Sequence, residues 1–455
     1  MIAENGLRLM ETLLGFGYDG AHREALLQRL PFSSATFYRA LKPLLKLGLV
    51  EERAPSFFVL PLEHPHNFAF KLWVDQQRIL ELPIFAKEEI YGLVRRIGYA
   101  AGENLLGLWL HGSAAQNTLT SESDFDFVAV LRKEQELSIT GPRPVQITVL
   151  GERRFRRDFL GGDPFIRTVV AHGLVLFDRN FVQAYYTQEL PPLSESLRKE
   201  REGVLEDLRD RLLFCIRDKA SAEGTQALRS LAVAVSRSML DVLGKLPAGK
   251  DDLVENCQFY FGPAFARVLK ECLNPRTKSS RWLKLLDELD HWRDRFATHS
   301  DSIRRVVAAL QGPEEQLLSA VREMLDALTL TQVRLAEVMP GARDLGYDFA
   351  YDDGSGNRVV AEVKSARGPI TNATFHSAVK QLKHYGPNSL FIINQYREVS
   401  LLERPPLYPK YLAEAERTGV SVLDCVELVR AWIGLVLNEE GALPPALAKT
   451  LGVSG

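Results

Sequence analysis

The run from Arg358 to Ser365, RVVAEVKS, constrains this chain more than any other stretch, because it reads as a strand whose apolar residues lead into Glu362 and Lys364. Alternation with a period of two places those two side chains on the same face. Upstream, ARDLGYDF is expected to end a first strand at Asp348, and DDGSGN to form a hairpin turn, so that Asp348 comes to lie opposite Glu362 and Lys364. Two carboxylates at the ends of paired strands can hold Mg²⁺ (or Mn²⁺), which prefers hard oxygen ligands and keeps several waters. Such an ion polarises a phosphodiester and acidifies a bound water, and Lys364 can orient that water or offset developing charge. The plain alternative is an exposed hairpin with an incidental Glu-x-Lys pair, and Asp352 or Asp353 could stand in for Asp348.

With its GYD and EVK segments, the stretch resembles the PD-(D/E)XK nucleases, and its local text is similar to the Mrr-type members. The resemblance covers roughly residues 315–440. It implies a restriction-endonuclease-like α/β domain with Asp348 and Glu362 as metal ligands and Lys364 as a catalytic cation. The helix after the motif often supplies a further polar residue in that family, which here implies Gln381, with Lys380, Lys383 and His384 near the phosphates. One departure is that no proline precedes Asp348.

A second constellation is LWLHGSAAQNTLTSESDFDFVAVL. Gly112 and Ser113 end one strand, and Asp124 and Asp126 begin the next. Glycine allows close approach of backbone to phosphate, and a serine hydroxyl with helix N-terminal amides can bind it. Both carboxylates of Asp-x-Asp face one side of a strand, where they can share Mg²⁺ with a nucleotide. This resembles the polymerase-β-like nucleotidyltransferases of the MNT type over about residues 60–185, implying nucleotide binding by Gly112, Ser113, Asp124 and Asp126. Two departures bear on activity. The following strand, RPVQITVLG, offers Gln146 and Thr148 where active members carry a third carboxylate, and alanines follow Gly112-Ser113. Neutral side chains cannot take a proton from an attacking hydroxyl near neutral pH.

Residues 1–60 are expected to form three short helices and a hairpin. Ser33 or Ser34 caps a helix with Phe37, Leu41, Leu44 and Leu45 on its apolar face and Gly48 at its end. Tyr38, Arg39, Lys42 and Lys46 share much of the other side. This resembles a winged helix-turn-helix, which implies DNA contact by those four residues; such modules also dock proteins. The formal charge of −2, from 56 Lys and Arg against 58 Asp and Glu, excludes a chain that coats nucleic acid along its whole length, while leaving room for local basic surfaces.

From about 195 to 335 the pattern is almost wholly helical, with polar breaks at SAEGT, PAGKDD and NPRTKSS. Within HWRDRFATHSDS, Arg293 and His299 resemble the Arg/His pair of HEPN domains, which cleave RNA without metal. Arg and His on a helix also commonly form a solvated face. Four scattered cysteines form no C-x-x-C pair, which argues against a disulfide framework or zinc site and for a reducing cytoplasm. No apolar run approaches bilayer length.

The expected architecture is multidomain, α+β and α/β: a winged helix over 1–62, a nucleotidyltransferase-like mixed sheet over 63–190, an all-α domain over 191–312 and a restriction-endonuclease-like α/β domain over 313–455. The leading functional expectation is a Mg²⁺-dependent nuclease, with DNA favoured over RNA. The other modules then serve sensing or targeting; their company implies bacterial defence against foreign DNA. Nucleotidyl transfer to a protein or nucleic-acid acceptor, with a nucleoside triphosphate as co-substrate, is one alternative. A non-enzymatic DNA-binding or assembly subunit is another. Nucleic acid is the expected partner, partner proteins or a homodimer stay open, and no membrane is expected.

Overall fold

The computed structural model describes residues 2–16, 20–120, 123–186, 190–218, 220–333, 339–340, 347–352, 358–397, 399, 401, 404–438 and 444–450. The chain divides into two compact units, one of residues 1–53 and 57–254, the other of residues 54–56 and 255–455. Both are mixed α and β, a coarser division than the four domains expected from the sequence.

The first unit opens with α1 (Glu4–Leu14), β1 (Ala21–His22), α2 (Arg23–Arg29), α3 (Ser34–Lys46), β2 (Glu51–Ala54) and β3 (Phe57–Val59). The three strands form a small sheet in the order β1-β3-β2. Ser33 is the N-cap of α3, its hydroxyl accepting from the Thr36 amide at 3.2 Å. Phe37, Leu41 and Leu44 face inward.

Next comes α4 (Pro65–Glu81), where the sequence suggests only a connection before the amphipathic helix α5 (Ile84–Ala101). The helical pattern of α4 is hidden because polar residues occupy its buried face. Asn67, Lys71 and Asp75 recur every four residues and are 0%, 6% and 2% exposed. Each has partners: Asn67 Nδ2 donates to the carbonyls of Leu49 (3.0 Å) and Pro61 (2.8 Å). Lys71 Nζ pairs with Asp75 at 2.6 Å, and Asp75 Oδ2 also accepts from the Val175 amide at 2.9 Å. Burial of such groups is tolerated only when they are satisfied in this way.

The larger sheet of this unit contains β4 (Leu105–His111), β5 (Phe125–Leu131), β6 (Val145–Gly151) and β7 (Leu174–Asp178), in the order β6-β5-β4-β7. Gly112 falls just after β4 and Asp124 just before β5, close to the strand end and strand start expected of them. Between the strands lie α6 (Gly112–Ala115), α7 (Glu152–Leu160) and α8 (Pro164–His172), with α9 (Gln183–Tyr186) after β7. Alternation splits the sheet into two apolar faces. Leu108, Leu110, Phe127 and Ala129 pack with Ile90, Leu93 and Ile97 of α5. Trp109, Val128 and Val130 pack with Phe155 and Phe159 of α7 and Ile166 of α8.

Helices α10 (Glu195–Asp218), α11 (Ser221–Val242) and α12 (Lys250–Leu273) follow. Ser221 and its neighbours, expected in a break, instead form the first turn of α11. Helix α12 contains Gly262, with φ 85° and ψ 175°, before Pro263. Only glycine adopts that backbone without cost, and proline cannot donate into a continuing helix, so the pair breaks α12.

The second unit continues with α13 (Trp282–Ala309), α14 (Glu314–Val333), β8 (Met339–Pro340), β9 (Phe349–Asp352) and β10 (Arg358–Ser365), then α15 (Asn372–Leu382), β11 (Ser389–Asn394), α16 (Pro409–Thr418), β12 (Ser421–Asp424), α17 (Cys425–Asn438) and α18 (Pro445–Thr450). Its sheet order is β12-β11-β10-β9-β8. Strand β10 is where the sheet changes character, pairing antiparallel with β9 and parallel with β11. Val360, Phe391 and Ile393 share a core with Phe375, Val379 and Leu382 of α15 and Tyr411 of α16. Among the described residues no helix is long and apolar enough to cross a membrane.

Candidate active sites

In the second unit, Asp348 comes just before β9 instead of closing a strand, because Phe349 and Ala350 extend the ladder as buried residues. The turn residues 353–357, Asp353 among them, lie outside the described residues. Phe349 is opposite Ala361, so Asp348 stands across from Glu362. Its amide donates to the Ala361 carbonyl at 2.9 Å, and its Oδ2 accepts from the Val363 amide at 2.8 Å. The carboxylate is thereby fixed against the β10 backbone.

Glu362 is 5% exposed, and its Oε1 forms an ion pair with Lys364 Nζ. Burial pushes the Glu362 carboxyl up; the bond to Lys364 opposes this, and the charges of Asp348 and Glu314 add to it. Burial works against the Lys364 ammonium, but the bond to Glu362 and the charges of Asp348 and Glu314 outweigh it and hold its pKa above the usual lysine value. The three sequence-predicted residues are therefore together.

Glu314, in the first turn of α14, escapes a sequence reading, since an acid there is indistinguishable from a helix-dipole partner. Its position follows from a buried network. Asn394, which pairs in register with Ser365, donates from Nδ2 to the Leu310 carbonyl at 2.9 Å and to Ser365 Oγ at 3.2 Å. Arg404, 8% exposed, donates to Asn394 Oδ1 (2.6 Å) and to the carbonyls of Val399 (2.9 Å) and Arg397 (3.1 Å). The turn before α14 is thus tied to the C-terminal ends of β10 and β11. Gln381 is on the exposed side of α15, opposite Phe375, Ala378 and Leu382, and makes no hydrogen bond to the three residues among those described.

In the first unit, the sheet registers align His111 with Asp126 and Asp126 with Gln146. The position where a third acid would help is therefore occupied by an exposed amide. Gly112 has φ +71°, and a Cβ there would lie 2.3 Å from Asp126 Oδ2, so only glycine leaves that carboxylate its place. Burial, and then the neighbouring charge of Asp124, push the Asp126 carboxyl up to about 6, with Lys250 opposing. Burial, followed by the Arg237 charge, lowers the His111 imidazole to about 4, against the pull of Asp124. His111 is then neutral at pH 7. Arg237 and Lys250 were not anticipated, because nothing local in their helices sets them apart from solvated cations.

Tyr38, Arg39, Lys42 and Lys46 are all exposed on α3, and Arg23 donates to the Tyr38 hydroxyl at 3.1 Å. Arg293 and His299 belong to the single helix α13. Six residues separate them, about 9 Å along the axis and roughly a third of a turn around it. Arg293 lies 3.8 Å from Asp290 and 3.4 Å from Asp294. Helix geometry therefore does not place Arg293 and His299 on one face. Among the described residues no group of three or more His, Cys, Asp and Glu side chains is placed to share an ion.

No family model matches the chain, and no curated protein matches it. Among solved structures, a nucleotidyltransferase-like protein from Exiguobacterium sibiricum 255-15 aligns with a TM-score of 0.25 and 14% identity, over 58% of this chain and 98% of that one.

Proposed function

We propose that the second unit hydrolyses phosphodiester bonds of nucleic acid with a divalent metal ion, through Asp348, Glu362 and Lys364. The observation carrying this reading is the register at the start of β9, which sets Asp348 across from Glu362 while Lys364 bonds to Glu362. In the order α14-β8-β9-β10-α15-β11, β10 pairs antiparallel with β9 and parallel with β11, so Glu362 and Lys364 lie on the strand where the sheet changes direction.

The donor set suits Mg²⁺. Two carboxylates stand across from one another in the β9–β10 register, that of Glu362 is largely buried, and the cation bonded to it is Lys364; Mg²⁺ commonly takes one or two carboxylates and completes its shell with water and phosphate. When bound, the ion supplies polarisation of the phosphate and an acidified water. Asp348, clamped by the Val363 amide, and Glu362 hold that charge. Lys364, retained as an ammonium by the surrounding acids, orients the attacking water and offsets charge on the phosphorane. DNA is the favoured substrate, since the exposed stripe on α3 suits a groove.

Cleavage of plasmid, linear and single-stranded DNA and of RNA, with Mg²⁺ and Mn²⁺, tests the reading. Glu362→Ala and Lys364→Ala are each expected to lower the rate by about a hundredfold or more. Cleavage that survives both substitutions would refute it.

A second reading is favoured by one observation, the alignment of Asp126 with His111 and Gln146 beside Gly112. On this reading the first unit binds a nucleoside triphosphate through Mg²⁺ on Asp124 and Asp126 and transfers a nucleotidyl group. Gln146 leaves it without a second-strand base, so binding is expected to outrun transfer. Incubation with labelled nucleoside triphosphates and Asp126→Ala as control tests it; a wild type that neither binds nor labels ends it.

A further inference from the structure

Two basic side chains outside the sheet come from segments tied to the end of β4 and to α6. The route by which they arrive is visible in the packing. Phe165 of α8 sets its ring edge-on to His111, with centroids 5.4 Å apart. Two residues on, Arg167 forms an ion pair with Asp241 of α11, both side chains less than 10% exposed. Arg237 precedes Asp241 by one helical turn and so shares its face. Its charge is felt at His111, the last residue of β4. Its Nε is buried and makes no hydrogen bond.

The second cation follows the loop after α11. His172 of α8 bonds to the Leu246 carbonyl at 3.1 Å, and Gln116, just past α6, donates to the Ala248 carbonyl. Gly249 packs on the Gln116 amide, which a Cβ there would displace. The next residue is Lys250, exposed, two residues beyond the carbonyl bonded to Gln116. Among the described residues neither Arg237 nor Lys250 forms an ion pair, although arginines nearby do: Arg167 with Asp241 and Arg201 with Asp163. A cation kept half-buried with a donor unused is costly unless an anion completes it.

We propose that Arg237 and Lys250 hold the phosphate chain of a nucleoside triphosphate whose metal ion rests on Asp124 and Asp126. The inference rests on the second reading above and deepens it. On this proposal the helices after the sheet contribute to the binding site, with Arg237 from α11 and Lys250 from α12. Three phosphates offer more charge to two cations than one does, so a triphosphate is expected to bind more tightly than a monophosphate.

The test is equilibrium binding of a fluorescent ATP or GTP analogue and of inorganic triphosphate to the full chain in Mg²⁺. Arg237→Gln and Lys250→Gln are each expected to weaken triphosphate binding about tenfold. Affinity for the monophosphate should change little, the salt dependence should become shallower, and Arg237→Lys should recover part of the loss. Lys250 is exposed, so its variant is expected to fold even where an Arg237 variant does not. If Asp126→Ala abolishes binding while both glutamine variants bind as the wild type does, the proposal fails and the second reading stands. A wild type that binds neither nucleotide nor inorganic triphosphate overturns both.

Discussion

Asp424 makes the cost of burying a charge measurable. Burial pushes its carboxyl up to about 6; the Val426 amide, which donates to Oδ1 at 2.8 Å, and Arg404 oppose this, while Glu427 adds to it. An acid whose pKa is raised by folding favours the native state when protonated. That contribution is fully present below the unfolded value of about 4 and is lost as pH rises to about 6. Asp424→Asn keeps the Oδ1 acceptor and removes the charge. It should therefore be the more stable protein at pH 7.5, by on the order of 2 kcal/mol, with the gap closing towards pH 4. Urea midpoints at the two pH values would decide this, and equal gaps would contradict the assignment. At this scale the sequence was informative where spacing fixes geometry, as with Glu362 and Lys364 on one strand face. It was silent on Glu314, Arg237 and Lys250, whose positions depend on tertiary contacts far along the chain.

Helix α4 shows why one element was legible and another was not. The sheet strands β4, β5 and β6 alternate or run apolar in plain sight, and Gly112 and Asp124 mark where β4 stops and β5 starts. In α4 the periodicity is carried by Asn67, Lys71 and Asp75, which a reading of hydrophobic spacing takes for surface. These residues bond outward to Leu49, Pro61 and Val175, so α4 joins the small sheet region to the larger sheet. Asp75→Ala would leave a buried ammonium and an orphaned amide, with an expected loss of about 3–5 kcal/mol. Asp75→Asn, which keeps an acceptor for Val175, should lose less. Chemical denaturation ranks the two; a loss under 1 kcal/mol for the alanine variant would show that water reaches Lys71. The Arg293/His299 pair makes the opposite point, because a spacing of six on one helix sets two side chains about a third of a turn apart.

Two compact units with separate apolar cores imply two separable stabilities. Leu108→Ala in the first unit and Phe391→Ala in the second each empty a fully buried position. Each should cost about 2–5 kcal/mol and lower one calorimetric transition by about 5–15 °C while leaving the other in place. A single transition moved by both substitutions would mean that the units melt as one. The alternation of helices and strands gave the mixed architecture in advance. The position of the boundary within α12 did not follow from composition, because the broken helix carries no linker-like run at residue 254.

The change of strand direction at β10 also governs when the proposed cutting centre can exist during synthesis. Val359 pairs with Tyr351, eight residues back, but Val360 pairs with Ser389, 29 residues ahead. The hairpin carrying Asp348, Glu362 and Lys364 is a local structure that forms early, whereas its parallel neighbour closes a longer loop and comes later. Asn394 and Arg404, which fix the turn leading to Glu314, lie later still. A nascent chain halted before residue 389 therefore has all three reacting side chains but not the strand that seats them. On the proposed reading, an unfinished chain is therefore expected to be inactive until the later strand has left the ribosome.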